Sequence, residues 1–149
     1  WHPPSSLPAH WLPQASQRPP PASQTGAYVI SVDIVEPSDA LRTTPGIDYV
    51  QESALDWRPN MPVDWVFCDM TISPHRSLAA LVDWLRNGHC RRFVWTLKFP
   101  PVKSSGVGYS DVTTAVRREL QGLPNVRWRL RHTPRLGAEI VCVGAVVGC

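Results

Sequence analysis

The feature that most constrains this chain is a set of three short apolar runs, each stopped by a charged side chain: Ala27-Tyr-Val-Ile-Ser-Val-Asp33, Val63-Asp-Trp-Val-Phe-Cys-Asp69 and Arg92-Phe-Val-Trp-Thr-Leu-Lys98. Near-continuous runs of β-branched and aromatic residues are the pattern of strands covered on both faces. After the second run, Ser73-Pro74 opens a helix with a capping hydroxyl and a proline in the first turn. Leu78, Leu81, Val82 and Leu85 share its apolar face, and Gly88 ends it. A second helix is expected from a Ser110 cap to Leu120, with Val112, Val116 and Leu120 as its stripe and Gly122-Leu-Pro124 as its stop. Ile47 to Gln51, after the Pro45-Gly46 turn, reads as a further strand. Val126 to His132 and Glu139 to Val147 read as an antiparallel pair closed by Pro-Arg-Leu-Gly. Strands alternating with helices build a mainly parallel α/β sheet, here with a C-terminal antiparallel hairpin.

Ligands of such sheets sit at the carboxyl ends of the strands, which puts Asp33, Asp69 and Lys98 on one functional edge. A single aspartate at a strand end is more often a loop cap than a ligand group. Three polar strand ends on one edge are a different matter, because one of them is a lysine following Val94-Trp-Thr-Leu97. A lysine in that position is partly desolvated, which disfavours the ammonium form and suits the amine to accept a proton.

The sequence is long enough for one domain with one core, at 149 residues and 43% hydrophobic. Residues 1–25 hold seven prolines among Ser, Gln and Ala, a composition expected of an extended tail or linker ahead of a partial domain at 26–149. Trp1, Leu7, Trp11 and Leu12 give that tail some capacity to dock. The sequence opens on Trp1 with no initiator Met, as expected of a processed, truncated or partial product. Cys68, Cys90, Cys142 and Cys149 form no C-x-x-C pair, so neither a zinc site nor a disulfide framework is expected. His75 and His89 have no third ligand at metal spacing. With no apolar run of bilayer length and no secretory pattern, the expectation is a soluble protein of a reducing compartment, cytoplasm or organelle matrix, with no membrane partner. The formal charge is only +3, but arginines accumulate after Asp83, which gives the C-terminal half an anionic partner or simply a solvated arginine surface. Trp57 and Trp65 are candidate base-stacking residues, and Trp84, Trp95 and Trp128 candidate core.

The segments Tyr28-Val-Ile-Ser-Val-Asp33, Val63-Asp-Trp-Val-Phe-Cys-Asp-Met70, Cys90-Arg-Arg-Phe-Val-Trp-Thr-Leu-Lys-Phe-Pro100 and Ala138-Glu-Ile-Val-Cys-Val143 resemble the RlmE/FtsJ-like (RrmJ-like) ribose 2′-O-methyltransferases. The likeness is greatest to the branch that modifies a cytidine of large-subunit ribosomal RNA, and it runs from about Gly26 to Val147. It implies a Rossmann-like class I methyltransferase sheet and S-adenosylmethionine as cofactor. It also implies a ribosomal RNA substrate and a Lys-Asp-Lys-Glu catalytic tetrad whose last three members are Asp69, Lys98 and Glu139. Asp33 takes the place of the acid that binds the cofactor ribose. Ser53 stands near the acid that meets the adenine, with Asp56 displaced, and Asp69 borders the cofactor as well.

The departures are equally definite. Residues 1–25 contain no glycine, so the family's first strand with its glycine-rich loop is expected to be missing, and with it tight cofactor binding. No lysine precedes Lys98, so the first tetrad position has no counterpart. Two functions follow: an RNA 2′-O-methyltransferase or a fragment of one, or a catalytically inactive relative that serves as an RNA-binding or structural component of a ribosome-like assembly, among ribosomal or assembly proteins.

Overall fold

The structure, a computed structural model, describes residues 9–11, 26–99, 108–132 and 139–148. In chain order it contains β1 (Ala9–Trp11), β2 (Val29–Asp33), α1 (Asp39–Arg42), β3 (Ile47–Gln51), β4 (Val63–Cys68), α2 (Pro74–Arg86), β5 (Cys90–Lys98), α3 (Tyr109–Gln121), β6 (Val126–His132) and β7 (Glu139–Val146). The seven strands form one sheet in the order β3-β2-β1-β4-β5-β7-β6. All pairings from β3 to β5 are parallel, and β7 runs antiparallel to both β5 and β6.

One expectation is corrected here. A first strand is present: Ala9–Trp11 fills the central slot, with Ala9 opposite both Ile30 and Val66. Proline density over 25 residues argues against a strand there, yet Pro8 and Pro13 leave a proline-free stretch between them. Three ladder positions need no more than that. The remainder of the expected tail lies outside the described residues, as do the loop at 104–107 and the turn joining β6 to β7.

Both long helices pack on one face of the sheet. In α2, the Ser73 hydroxyl accepts a hydrogen bond from the Arg76 N–H at 3.4 Å and Pro74 begins the helix. Gly88, at φ +68°, turns the chain out of it. In α3, Gly108 rather than Ser110 is the cap residue, and the Asp111 carboxylate accepts from the Gly108 N–H at 3.1 Å. A carboxylate three positions into a helix reaches back to the cap amide, and this displaces the role expected of the serine. Leu78, Leu81, Trp84, Val112, Val116 and Leu120 bury against Val66, Cys68, Phe93, Trp95, Leu97, Ile140 and Cys142 of the sheet. The Trp95 indole N–H donates to the Ser77 hydroxyl at 2.9 Å, satisfying a polar group where sheet and helix meet. Arg58 grips Asp83 through two nitrogens, at 3.0 and 2.6 Å, and so ties the segment before β4 to α2.

Gly144 marks the tightest packing in the sheet. A Cβ there would stand 2.5 Å from the Arg127 carbonyl oxygen and 2.5 Å from the Phe93 ring. The strand accepts only glycine at a backbone approach this close.

Cys68, Cys90 and Cys142 are free and buried. Burial pushes the Cys90 and Cys142 thiols up to about 12, and raises Cys68 further. Thiolate is the reactive form, so at pH 8 these thiols stay protonated and unreactive. Iodoacetamide at pH 8 is therefore expected to leave all three unlabelled in the native chain and to modify all three in denaturant, as read by peptide mass mapping. Labelling of Cys142 in the native chain would show that the sheet opens on the timescale of the reaction.

Candidate active site

The topology sets four charged residues on one edge and one face. Alternation along the strands gives Val29, Ser31 and Asp33 of β2 the same facing as Trp65 and Phe67 of β4, and through cross-strand register the same as Val94, Thr96 and Lys98 of β5 and Glu139 and Val141 of β7. Asp69 follows directly on Cys68, the last residue of β4. Lys98 is the register partner of Glu139. β7 runs antiparallel, so its first residue lies beside the last residue of β5. This is why an acid about forty residues further along the chain returns to the lysine.

The distances reflect that arrangement. The Lys98 Nζ is 3.1 Å from Asp69 Oδ1, within hydrogen-bonding reach, and 4.0 Å from Glu139 Oε1, an ion pair at the outer limit. The Lys98 side chain is 23% exposed and that of Asp69 is 42% exposed, so the amine is sheltered yet open to a reactant from the Asp69 side. Asp69, Lys98 and Glu139 thus meet at one point. Asp33 stands apart from them, with β1 and β4 between it and Lys98.

Asp33 is fixed by its surroundings. Its Oδ1 accepts the Val35 N–H at 3.0 Å, its carbonyl accepts the Glu52 N–H at 3.1 Å, and the Tyr49 hydroxyl donates to that same carbonyl at 3.2 Å and to the Val35 carbonyl. One carboxylate oxygen remains free of these contacts to meet a hydroxyl ligand. Burial, and secondarily the charge of Asp33, holds the Tyr49 phenol above its ordinary value, so it stays a hydrogen-bond donor through neutral pH. Sequence reasoning misses Tyr49; the only signal is an aromatic with a polar tip on the strand beside an acid-ended strand. Ser53 begins a tight turn: its hydroxyl accepts the Leu55 N–H at 3.3 Å, and its carbonyl accepts from Asp56 and Trp57, each at 2.9 Å. That contact uses the hydroxyl as an acceptor and leaves its O–H to donate.

The remaining candidates divide. Trp57 packs on Trp84 with ring centroids 6.2 Å apart, and His89 sets its ring edge against Trp84 at 5.7 Å, so both serve packing. Trp65 is half-buried, stacked on Phe67 at 5.9 Å beneath the Arg92 guanidinium. Among the described residues no group of three metal-ligating side chains occurs, and no helix is long and apolar enough to cross a membrane.

Comparison with known proteins agrees with this architecture. The chain is 33% identical over 98 residues to the ribosomal RNA large subunit methyltransferase M of Aromatoleum aromaticum, an alignment covering 66% of this chain and 25% of that protein. With the protein of the same name from Marinobacter nauticus it shares 32% over 123 residues, 80% of this chain and 33% of the relative. The chain therefore spans about a quarter to a third of these relatives. No protein-family model matches it. Among solved structures, the METTL16 methyltransferase domain superposes with a TM-score of 0.58 at 10% identity, covering 97% of this chain and 61% of that one. Aeropyrum pernix fibrillarin, solved with S-adenosyl-L-methionine bound, does so with a TM-score of 0.56 at 13% identity, covering 93% and 66%. The fold is that of the Rossmann-like methyltransferases.

Proposed function

We propose that this relative of the ribosomal RNA large subunit methyltransferase M proteins is the catalytic-edge portion of an S-adenosylmethionine-dependent ribose 2′-O-methyltransferase acting on ribosomal RNA. The observation that carries this reading is Lys98 held by Asp69 at 3.1 Å and by Glu139 at 4.0 Å on the carboxyl edge of the sheet.

The residues present fit the cofactor in part. On this reading Asp33 would hold its ribose and Ser53 its adenine, with Asp69 bordering it. The methionine end finds no such partners among the described residues, and the segment after β1 contains Pro13, Pro19, Pro20 and Pro21 and no glycine. Backbone of that composition offers few N–H donors and fixed φ angles. When bound, the cofactor supplies a methyl group on a sulfonium. The residues of the chain act on the other reactant: Lys98 orients the ribose hydroxyl and, after releasing one of its own protons to solvent, takes the hydroxyl proton on its neutral amine as the oxygen becomes a nucleophile, while Asp69 and Glu139 fix the amine in line.

The test is transfer of labelled methyl from millimolar S-adenosylmethionine to protein-free large-subunit ribosomal RNA by the whole chain. The expected product is a nucleotide whose 3′ linkage resists alkaline hydrolysis, the mark of a methylated 2′ oxygen. Label on a base, or on protein alone, overturns the assignment. Cofactor binding should be weak. Loss of several charge-assisted hydrogen bonds, at about 1 to 3 kcal/mol each, moves a micromolar site to the millimolar range, which calorimetric titration measures. Micromolar one-to-one binding would mean that residues outside the described set cradle the methionine end.

That same lack of a glycine loop favours a second reading: an inactive relative that binds RNA as a structural part of a ribosome-like particle, alongside ribosomal or assembly proteins. Millimolar cofactor with no transfer, together with tight RNA binding, selects it. Either reading places the protein with ribosomal RNA inside a reducing compartment.

A further inference from the structure

The two faces of the sheet differ in cover. α2 and α3 both lie on the face of Phe93, Trp95 and Cys142. The opposite face has only the short α1 among the described helices, and that packs through Leu41 on Val29 and Ile47, over β2 and β3. From β4 to β6 this second face carries no described helix.

What it displays is ordered. Cross-strand register gives two rows, Trp65-Arg92-Ala145-Arg127 and Phe67-Val94-Val143-Arg129, and a third of Thr96-Val141-Arg131. Above these rows, on the same face, stand Lys98 and Glu139. Arg127, Arg129 and Arg131 are exposed while Trp128 and Leu130 between them turn inward, so the three guanidinium groups form a column along the edge strand. Alternate residues of a strand are about 6.7 Å apart, a spacing of the same order as that of successive phosphates along an extended nucleic-acid strand. Arg92 lies over the Trp65 ring at 5.4 Å. The ion pairs of the described residues engage Arg42, Arg58, Arg91, Arg118 and Lys98, and none engages these four arginines. Arg91, adjacent in sequence to Arg92, points to the other face and pairs with Asp64 at 3.5 Å.

We propose that this face, from Trp65 and Arg92 across to the Arg127-Arg129-Arg131 column, is a docking surface for a single RNA strand whose path leads to the Lys98 edge. The inference rests on the functional reading above, since it takes the reactant there to be a ribose. Charge complementarity selects the occupant. Four arginines of one sign, without acidic partners, suit a polyanion better than a second copy of this chain, which would set the same arginines against one another across a two-fold axis. The half-buried Trp65 beside them offers a ring for a base once Arg92 turns to a phosphate.

The experiment measures fluorescence anisotropy of a labelled single-stranded RNA of mixed sequence with the whole chain, without cofactor, over a range of salt. Each phosphate contact to a single strand contributes about −0.7 to the slope of log affinity against log salt. Replacing Arg127, Arg129 and Arg131 together by Gln should make that slope shallower by about 2 and lower affinity about 10-fold or more at 100 mM salt. Arg117→Gln with Arg118→Gln, on α3, should leave both unchanged. Equal loss in the two variants, or no loss in the first, overturns the proposal; so does a wild-type dimer that RNA does not dissociate. If the triple variant aggregates because the edge strand has lost its charges, protection of the native arginines from phenylglyoxal decides. Bound RNA should shield Arg127, Arg129 and Arg131 but not Arg117 and Arg118, and uniform reactivity refutes the surface. RNA bound through this face without methyl transfer refutes the catalytic reading alone. Transfer with unaltered affinity in the variant refutes this surface alone.

Discussion

On the proposed catalytic reading, Lys98→Ala is expected to lower methyl transfer by about 10² to 10⁴-fold, the range a positioned proton acceptor contributes. Among the described residues Lys98 is the only basic side chain ion-paired with Asp69 or Glu139, so no other described cation replaces it there. Lys98→Arg is the informative companion. A guanidinium keeps the positive charge between Asp69 and Glu139 but does not give up its proton near neutral pH. If Lys98 serves only to hold the two acids together, arginine should restore transfer; if it takes the ribose proton, arginine should be as inactive as alanine. Affinity for RNA should hold in both, because the arginine column lies on other residues. Transfer by Lys98→Ala within about five-fold of wild type would remove Lys98 from the chemistry.

Gly144→Ala should lower stability by about 3 kcal/mol, at the upper end of what overpacking costs. The new methyl meets the Arg127 carbonyl and the Phe93 ring, each at 2.5 Å. The ring is fully buried beneath the helices, and the carbonyl belongs to β6, so relief requires either a displaced core aromatic or a bent ladder. Against a total of about 5 to 15 kcal/mol, such a loss is large, and for a domain of this size it lowers the melting temperature by about 10 °C. Gly144→Val should not yield a folded chain. Phe93→Leu introduced with Gly144→Ala should recover part of the loss by removing one of the two contacts, although the smaller side chain has a cavity cost of its own. Circular dichroism melts measure all of these, and an unchanged midpoint for Gly144→Ala would show that the strands can part without strain.

The strands that carry the candidate site are legible in the sequence because burial on both faces forces an uninterrupted apolar run, and a polar terminator then stands out. Asp33, Asp69 and Lys98 are found this way. Glu139 is not, since an acid at the start of a strand looks like any loop acid; only the resemblance assigns it, and only antiparallel insertion of β7 brings it to Lys98. β1 escapes notice for a related reason. A three-residue strand between prolines has no periodicity, and it shows itself only through its pairing with β2 and β4. Gly144 is equally silent: its role depends on Phe93, fifty-one positions away. The uneven cover of the sheet by the described helices cannot be read from any one strand, because the arginines of β6 look solvated in isolation and join ordered rows only through their register with β7, β5 and β4.

Insertion of β7 between β5 and β6 also dictates an order of events during synthesis. When His132 emerges, β6 has no neighbour with which to pair, because the strand that separates it from β5 has not yet been made. The N-terminal parallel strands and α2 can assemble from contacts already translated, while β6 waits as an open edge. Glu139 enters with the first residue of the strand that closes the gap, so the nascent chain gains its third site residue in the same step that completes its sheet. A ribosome stalled between these two points would carry a protein with most of its core in place and no complete charged cluster, exposed to quality control at its least protected moment.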